Sequence, residues 1–374
     1  MHVHFFEPRA DGHRMQYVRR LVEAAPRDWQ LSLSTFPGAL SHPGTQAAVA
    51  AGGTRLRTVA IAGEAAFESR VRGGDGFALQ PAYWRLMRRH WRGLAAAARG
   101  DLVVVPYLDY ASYAIGAFGS PFGSTPFAGI VMRPDFHWAA QGVVAPASRH
   151  GGLKRLLFAR LLRQRRLQRL VTIDPSLRDW AARVRPAGHE RLCYADDPAD
   201  LCGQGGRAEA RRHFGLEPGA TVLLLFGSID LRKGVRALIE LACRPDLPAE
   251  VQVLMAGRQS DEVRALLAEA APRLPAGRLV QVDRYVDRQE EWLAFAAADF
   301  GWVAYEGFYG PSGVLAQCQQ AGLPMIHRGE GLIGYRLAGA EALALPWLQS
   351  SGLQAARLPA DAPGAPGIEQ VMAT

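Results

Sequence analysis

Two loops in the second half of the chain carry residue types that could hold a diphosphate. In the first, the apolar run Val222–Phe226 reads as a strand and passes into Gly227-Ser228-Ile229-Asp230-Leu231-Arg232-Lys233-Gly234 before a segment of helical period. A glycine at the strand end lets the backbone approach a ligand closely. Arg232 and Lys233 set two cations where a diphosphate needs charge compensation. In the second, Tyr305-Glu306-Gly307-Phe308-Tyr309-Gly310-Pro311-Ser312-Gly313-Val314-Leu315 joins a strand to a helix. Backbone N–H groups around Ser312, Gly313 and Val314 open that helix and, with its dipole, favour an anion. Glu306 ends the preceding strand, and a carboxylate there suits sugar hydroxyls better than phosphate. Taken singly, the first loop reads more readily as a solvated turn and the second as a capped helix with a surface glutamate. Their succession gives them weight.

Such loops need strands to present them and helices to open behind them. Around the first lie a helix Arg207–Phe214, a helix Val235–Ala242, a strand Val251–Ala256, a helix Asp261–Ala271, a strand Leu279–Val282 and a helix Gln289–Ala297. A short strand Gly301–Ala304, a helix Gly313–Ala321 and a strand Pro324–His327 frame the second. This alternation predicts a doubly wound sheet, which binds ligands at the carboxyl ends of its strands. The first half repeats the theme with strands at His2–Phe6, Leu102–Pro106, Gly129–Met132 and Leu170–Ile173, and helices at Met15–Ala25, Tyr83–Arg99 and Leu153–Arg169. Between Tyr194 and Gly206 the chain is short of large apolar residues and rich in Asp, Pro and Gly, as a linker should be. The expected division is residues 1–195, residues 207–345, and a partly irregular tail 346–374.

A chain of 374 residues, 49% of them apolar, can bury two cores. No apolar run approaches the roughly 18–20 residues of a membrane span, and MHVHFFEPRADG lacks the order of a signal peptide, so a cytoplasmic protein is expected. Cys193, Cys202, Cys243 and Cys318 are scattered without CxxC pairs, which predicts reduced thiols rather than a zinc site or a disulfide framework. The net charge of +8 favours anionic partners in general and selects none. The most basic segment interleaves only Phe158 among its cations, so nucleic acid is not an expected partner. No DxD-like metal motif is present in the sequence, and no metal is expected.

In order, the strand and glycine loop with Lys233 and Gly234, then Met255-Ala256-Gly257, Asp299, the Glu306 loop and Gln320-Ala321-Gly322-Leu323-Pro324-Met325-Ile326 resemble the donor domain of the retaining family 4 glycosyltransferases. The resemblance covers Ala208 to Ile326. It implies an α/β chain of GT-B type, with two Rossmann-like doubly wound domains facing a cleft: residues 1–195 on the acceptor side and 207–345 binding the donor. It also implies transfer of a sugar from a nucleoside diphosphate sugar, a co-substrate rather than a cofactor, to an acceptor hydroxyl. Configuration is retained and no metal is needed, because cationic side chains and helix N-termini stabilise the leaving diphosphate. Lys233 then meets the diphosphate and Glu306 the sugar. Two positions depart from the pattern. Ser228 stands where the family carries arginine, which leaves Arg232 as the second cation. Gln317, eleven residues after Glu306, stands in place of a second glutamate that binds the ribose, and its amide can bond a ribose hydroxyl.

In the first half, the resemblance sets Asp11-Gly12-His13 at the cleft, with Gly12 open to the donor diphosphate and His13 a candidate active-site group. Arg133-Pro134-Asp135-Phe136-His137 falls where relatives carry acceptor-side polar groups, so Asp135 or His137 could orient or deprotonate an acceptor hydroxyl. The acceptor itself, whether saccharide, lipid-linked or small molecule, is not legible. The helix Leu153–Arg169 sets seven cations beside a leucine stripe. The leucines form one stripe that must be buried somewhere, which favours a surface helix with its leucines in the core over a peripheral contact with an anionic bilayer. The alternative to a transferase is a GT-B-like protein that binds a nucleotide or polyanion without catalysis, Ser228 and Gln317 marking the decay.

Overall fold

The computed structural model describes residues 1–11, 14–72, 76–349 and 351–359. They form two compact units, one from Met1–Gln141 and Pro146–Asp196, the other from Gly142–Ala145 and the residues from Asp197 onward.

In the first unit, strands β1 (His2–Phe6), β2 (Gln30–Thr35), β3 (Leu56–Ala60), β4 (Leu102–Val105), β5 (Phe127–Val131), β6 (Leu167–Thr172) and β7 (Leu192–Tyr194) form a parallel sheet in the order β3-β2-β1-β4-β5-β6-β7. Every residue of β5 is buried, as a strand covered on both faces requires. Side chains alternate between two cores: Val3 and Phe5 pack on one face of the sheet and Phe6 on the other. Polar residues also occupy that second face. His4 sits between Ser32 Oγ and Ser34 Oγ, 2.8 Å from each, and the chain continues to His90 Nε2, 2.6 Å from Ser34, and to His2 Nε2, 3.0 Å from Ser32. Burial pushes the His4 imidazole down to about 3, so at neutral pH it is an uncharged hydrogen-bonding group inside the sheet.

In the second unit, β8 (Thr221–Phe226), β9 (Val251–Ala256), β10 (Leu279–Val282), β11 (Phe300–Trp302), β12 (Met325–His327), β13 (Glu341–Leu343) and β14 (Gln354–Arg357) run in the order β10-β9-β8-β11-β12-β14-β13. The first five are parallel, whereas β14 is antiparallel to both β12 and β13. On β8, Val222, Leu224 and Phe226 face one core and Leu223 and Leu225 the other. The sheet order reverses between β8 and β11, the point at which doubly wound sheets open a crevice beyond their strand ends. Asp299, just before β11, accepts from the backbone N–H of Val222 at 2.8 Å and from Arg211 Nη2 at 2.7 Å, and also pairs with Arg207. It ties the helix Arg207–Phe214 to the sheet.

Several expected elements lie elsewhere. The long basic helix runs from Gly151 to Leu162 only, and Leu167 begins β6. The leucines and arginines continue through the turn at Arg163–Arg166, so composition hid the switch from helix to strand. Leu157, Phe158, Leu161 and Leu162 are core residues, whereas Leu153 and Leu156 remain 47% and 49% exposed. The helix expected over Tyr83–Arg99 spans Gln80–Gly93 and gives way to a short 3-10 turn at Ala96–Ala98. Residues 346–357, expected to be partly irregular, carry a 3-10 turn at Pro346–Leu348 and strand β14. No helix among the described residues is long and apolar enough to cross a membrane.

Candidate functional site

The carboxyl ends of β8, β9 and β11 are drawn together by two glycines. Gly257, at the end of β9, has φ +137°, and a Cβ there would lie 1.9 Å from Gly227 O. Gly234 has φ +73°, and a Cβ on it would lie 2.0 Å from Ala304 O. Both positions combine a backbone region open to glycine with a contact that only glycine leaves room for. The 3-10 turn Leu231–Lys233 is thereby pressed against the end of β11, where Trp302 Nε1 donates to Lys233 O at 3.2 Å.

From that turn the Lys233 side chain folds back beneath Gly227, whose φ is +97°. Its Nζ donates to Phe226 O at 2.6 Å and to the Tyr305 hydroxyl at 3.4 Å, and only 7% of the residue is exposed. The Tyr305 hydroxyl also accepts from Ser312 Oγ at 3.3 Å. Ser312 is the N-cap of the helix Gly313–Gln320, and its Oγ accepts from Leu315 N–H at 3.4 Å. The N–H groups of Gly313 and Val314 have no acceptor within the helix and open its positive end. Lys233, Ser312, Gly313 and Val314, read separately in the sequence, are thus joined through Tyr305, to which the sequence alone assigned no role.

The other candidates are arranged around this link. Glu306 donates its backbone N–H to Arg232 O at 2.8 Å, and its Oε1 accepts from Arg328 Nη2 at 2.6 Å. Arg232 lies 4.8 Å over the Phe308 ring and pairs with Asp230 at 3.3 Å, with about half of its side chain open to solvent. Ser228 is exposed on the loop. Gln317 Nε2 donates to Glu291 Oε1 from the helix Arg288–Ala297. Since a carboxylate only accepts, this bond turns the amide nitrogen towards Glu291 and the amide oxygen away from it. Arg328 and Glu291 belong to no motif, and nothing in their local sequence singles them out. Lys233 had a signal: the chain contains two lysines, Lys154 and Lys233, among 43 basic residues.

In the first unit, Gly12 and His13 lie outside the described residues. In the same unit, Glu7 is fully buried just after β1 and accepts from Arg14 Nη1 at 3.1 Å. Burial outweighs that cation and pushes the Glu7 carboxyl up to about 7. Arg14 itself stacks 4.2 Å over the Tyr107 ring. Asp135 is ion-paired with Lys154 at 2.8 Å and partly exposed. His137 is 1% exposed, and its Nε2 lies 3.1 Å from Asp174 Oδ2 and 2.9 Å from Ser176 Oγ. Asp174 caps the helix Pro175–Val184 through the N–H groups of Ser176 and Leu177. That geometry corrects the expectation for His137: its ring holds the Asp135 loop to this helix start and presents no exposed nitrogen to an acceptor.

No family model and no characterised protein matches the chain by sequence. Solved structures do match. The sucrose-phosphate synthase of Thermosynechococcus elongatus superposes with a TM-score of 0.60 at 16% identity, covering 90% of this chain and 83% of its own. HepE of Anabaena, solved in complex with UDP and glucose, gives 0.56 at 13% identity, with 91% and 84% covered. WaaG, a glycosyltransferase involved in lipopolysaccharide biosynthesis, gives 0.52 at 16% identity, with 89% and 83% covered. The fold is GT-B. Each of its two units carries the doubly wound sheet of that fold, and the linked loops of Lys233 and Ser312 occupy the switch point of the second GT-B sheet.

Proposed function

We propose that the chain transfers a sugar from a nucleoside diphosphate sugar to an acceptor hydroxyl, with retention of configuration and without a metal. The observation that carries this reading is the Lys233–Tyr305–Ser312 link at the switch point between β8 and β11. It brings an ammonium group and the open start of a helix to one place, two sources of positive charge suited to a leaving diphosphate. Glu306 beside it offers a carboxylate to sugar hydroxyls, and the amide oxygen of Gln317, turned away from Glu291, offers an acceptor to a ribose hydroxyl. The complexes of HepE with UDP and glucose and with UDP-glucose support a donor of this class. Arg232 is the second cation in this reading, and Asp135 the acceptor-side group that retains solvent access.

A thermal-shift screen with UDP-, GDP-, ADP- and dTDP-sugars tests the reading, because a ligand bound only by the native state raises its apparent stability. A rise with one base family supports it, and no rise with any sugar nucleotide counts against it. A peripheral membrane contact would involve the exposed Leu153 and Leu156 with Arg155 and Arg160 on the same helix. Sedimentation with anionic vesicles is expected for the wild type and reduced for L153S/L156S; no sedimentation of the wild type removes that contact.

A further inference from the structure

Arg328 follows β12 and stands in none of the motifs, yet it is the group that meets Glu306. Its Nη2 donates to Glu306 Oε1 at 2.6 Å, and each side chain keeps 32% of its surface open. Among the described residues, its Nε is buried without a partner. The backbone of Glu306 is anchored independently, through its N–H to Arg232 O. Among the described residues, Glu306 Oε2 and Arg328 Nη1 make no further hydrogen bond. A carboxylate held by Arg328 on an anchored backbone therefore presents one free acceptor next to the free donors of a guanidinium.

An ion pair this open to water contributes little to stability. Its chemistry suits a neutral ligand better than an anionic one. Glu306 cancels the charge of Arg328 and would repel a phosphate oxygen, whereas a hydroxyl both donates and accepts and can satisfy either member. The two side chains are joined at 2.6 Å, so groups that bond to them are themselves neighbours on one ligand. We propose that Glu306 and Arg328 act as one clamp that reads two neighbouring hydroxyls of the donor sugar, Glu306 accepting from one and Arg328 donating to the oxygen of the other. The inference rests on the nucleotide-sugar reading of the site and adds to it a residue that selects the sugar.

The test is titration calorimetry of the full chain with UDP, GDP and ADP and with their glucose conjugates. Wild type should bind one conjugate more tightly than its bare nucleotide. In R328M and E306Q that advantage should fall roughly ten- to a hundred-fold, as expected for the loss of charge-assisted bonds. Affinity for the bare nucleotide should stay within about two-fold of wild type. R328K should fail to restore the advantage, because an ammonium lacks the planar fork. Equal weakening of nucleotide and conjugate in R328M would make Arg328 a diphosphate cation and overturn the clamp. An unchanged advantage in both variants, or none in wild type, overturns it as well. Wild type that binds none of the six compounds would instead bring down the nucleotide-sugar reading itself. Unfolding midpoints matching wild type show that the variants are folded.

Discussion

The Lys233 ammonium lies 3.4 Å from the Tyr305 hydroxyl and 5.3 Å from the centroid of the same ring, so the hydroxyl end of one aromatic side chain holds the lysine. Ser312 Oγ meets the same hydroxyl at 3.3 Å. Two loops 72 residues apart, after β8 and after β11, are thus hinged on a single phenol oxygen.

Tyr305→Phe removes that oxygen and keeps the ring. Both bonds to this oxygen are long and a typical hydrogen bond contributes about 0.5–1.5 kcal/mol, so nucleotide affinity should fall roughly three- to ten-fold with little change in unfolding midpoint. Titration of the variant with the nucleotide selected by the thermal-shift screen checks this. Affinity equal to wild type would show that the link does not set the position of Lys233.

Gly257→Ala should be severely destabilising. It forces a side chain into φ +137° and into a contact of 1.9 Å with Gly227 O, so either the ends of β8 and β9 part or the second unit fails to fold. Backbone strain of this kind costs at least about 1–3 kcal/mol before the clash is counted. Gly219→Ala is the control, with nothing within 4 Å of its Cβ, and should lie within roughly 0.5 kcal/mol of wild type. Urea unfolding of the two variants compares them directly.

Where a segment's burial follows its own pattern, the sequence reading and the structure agree closely. The helix Val235–Ala242 and the strands Val251–Ala256 and Leu279–Val282 fall where periodicity places them. Agreement is poorer where composition is uniform or the strand is half exposed. Leucine and arginine run unbroken from the helix Gly151–Leu162 into β6, and β3, with exposed Arg57 and Thr58 at the sheet edge, carries no apolar run to mark it. In the site, Lys233, Glu306 and the Ser312 loop were legible because each sits in a loop following a strand. Arg328 and Glu291 were not, because their importance comes from partners 22 and 26 residues away, which only the fold brings within reach.

Acid should destabilise the first unit through His4. Its pKa is lowered from 6.5 to about 3 by burial and, to a lesser extent, by the neighbouring His90 and His2. The unfolded chain therefore takes up the proton first. The contribution is fully present above pH 6.5 and is lost as pH falls towards 3, at no more than about 1.4 kcal/mol per pH unit. Glu7 acts in the opposite sense: with its carboxyl raised to about 7, its contribution is present below pH 4.5 and is lost as pH rises through 7. Comparing His4→Gln with wild type by urea unfolding at pH 7.5 and pH 5 isolates the histidine, since Glu7 is common to both. The variant should lose less stability than wild type between the two values, and parallel losses would show that His4 does not titrate in this way.

Lys233→Ala asks whether the Lys233 ammonium neutralises the leaving diphosphate, as proposed. The measurement is the slow hydrolysis of the nucleotide sugar that wild type binds, followed as released nucleoside diphosphate, with circular dichroism to show that the variant is folded. Loss of one preorganised donor to developing charge predicts a fall in turnover on the order of a hundred-fold or more. Turnover equal to wild type in a folded Lys233→Ala chain would contradict the account.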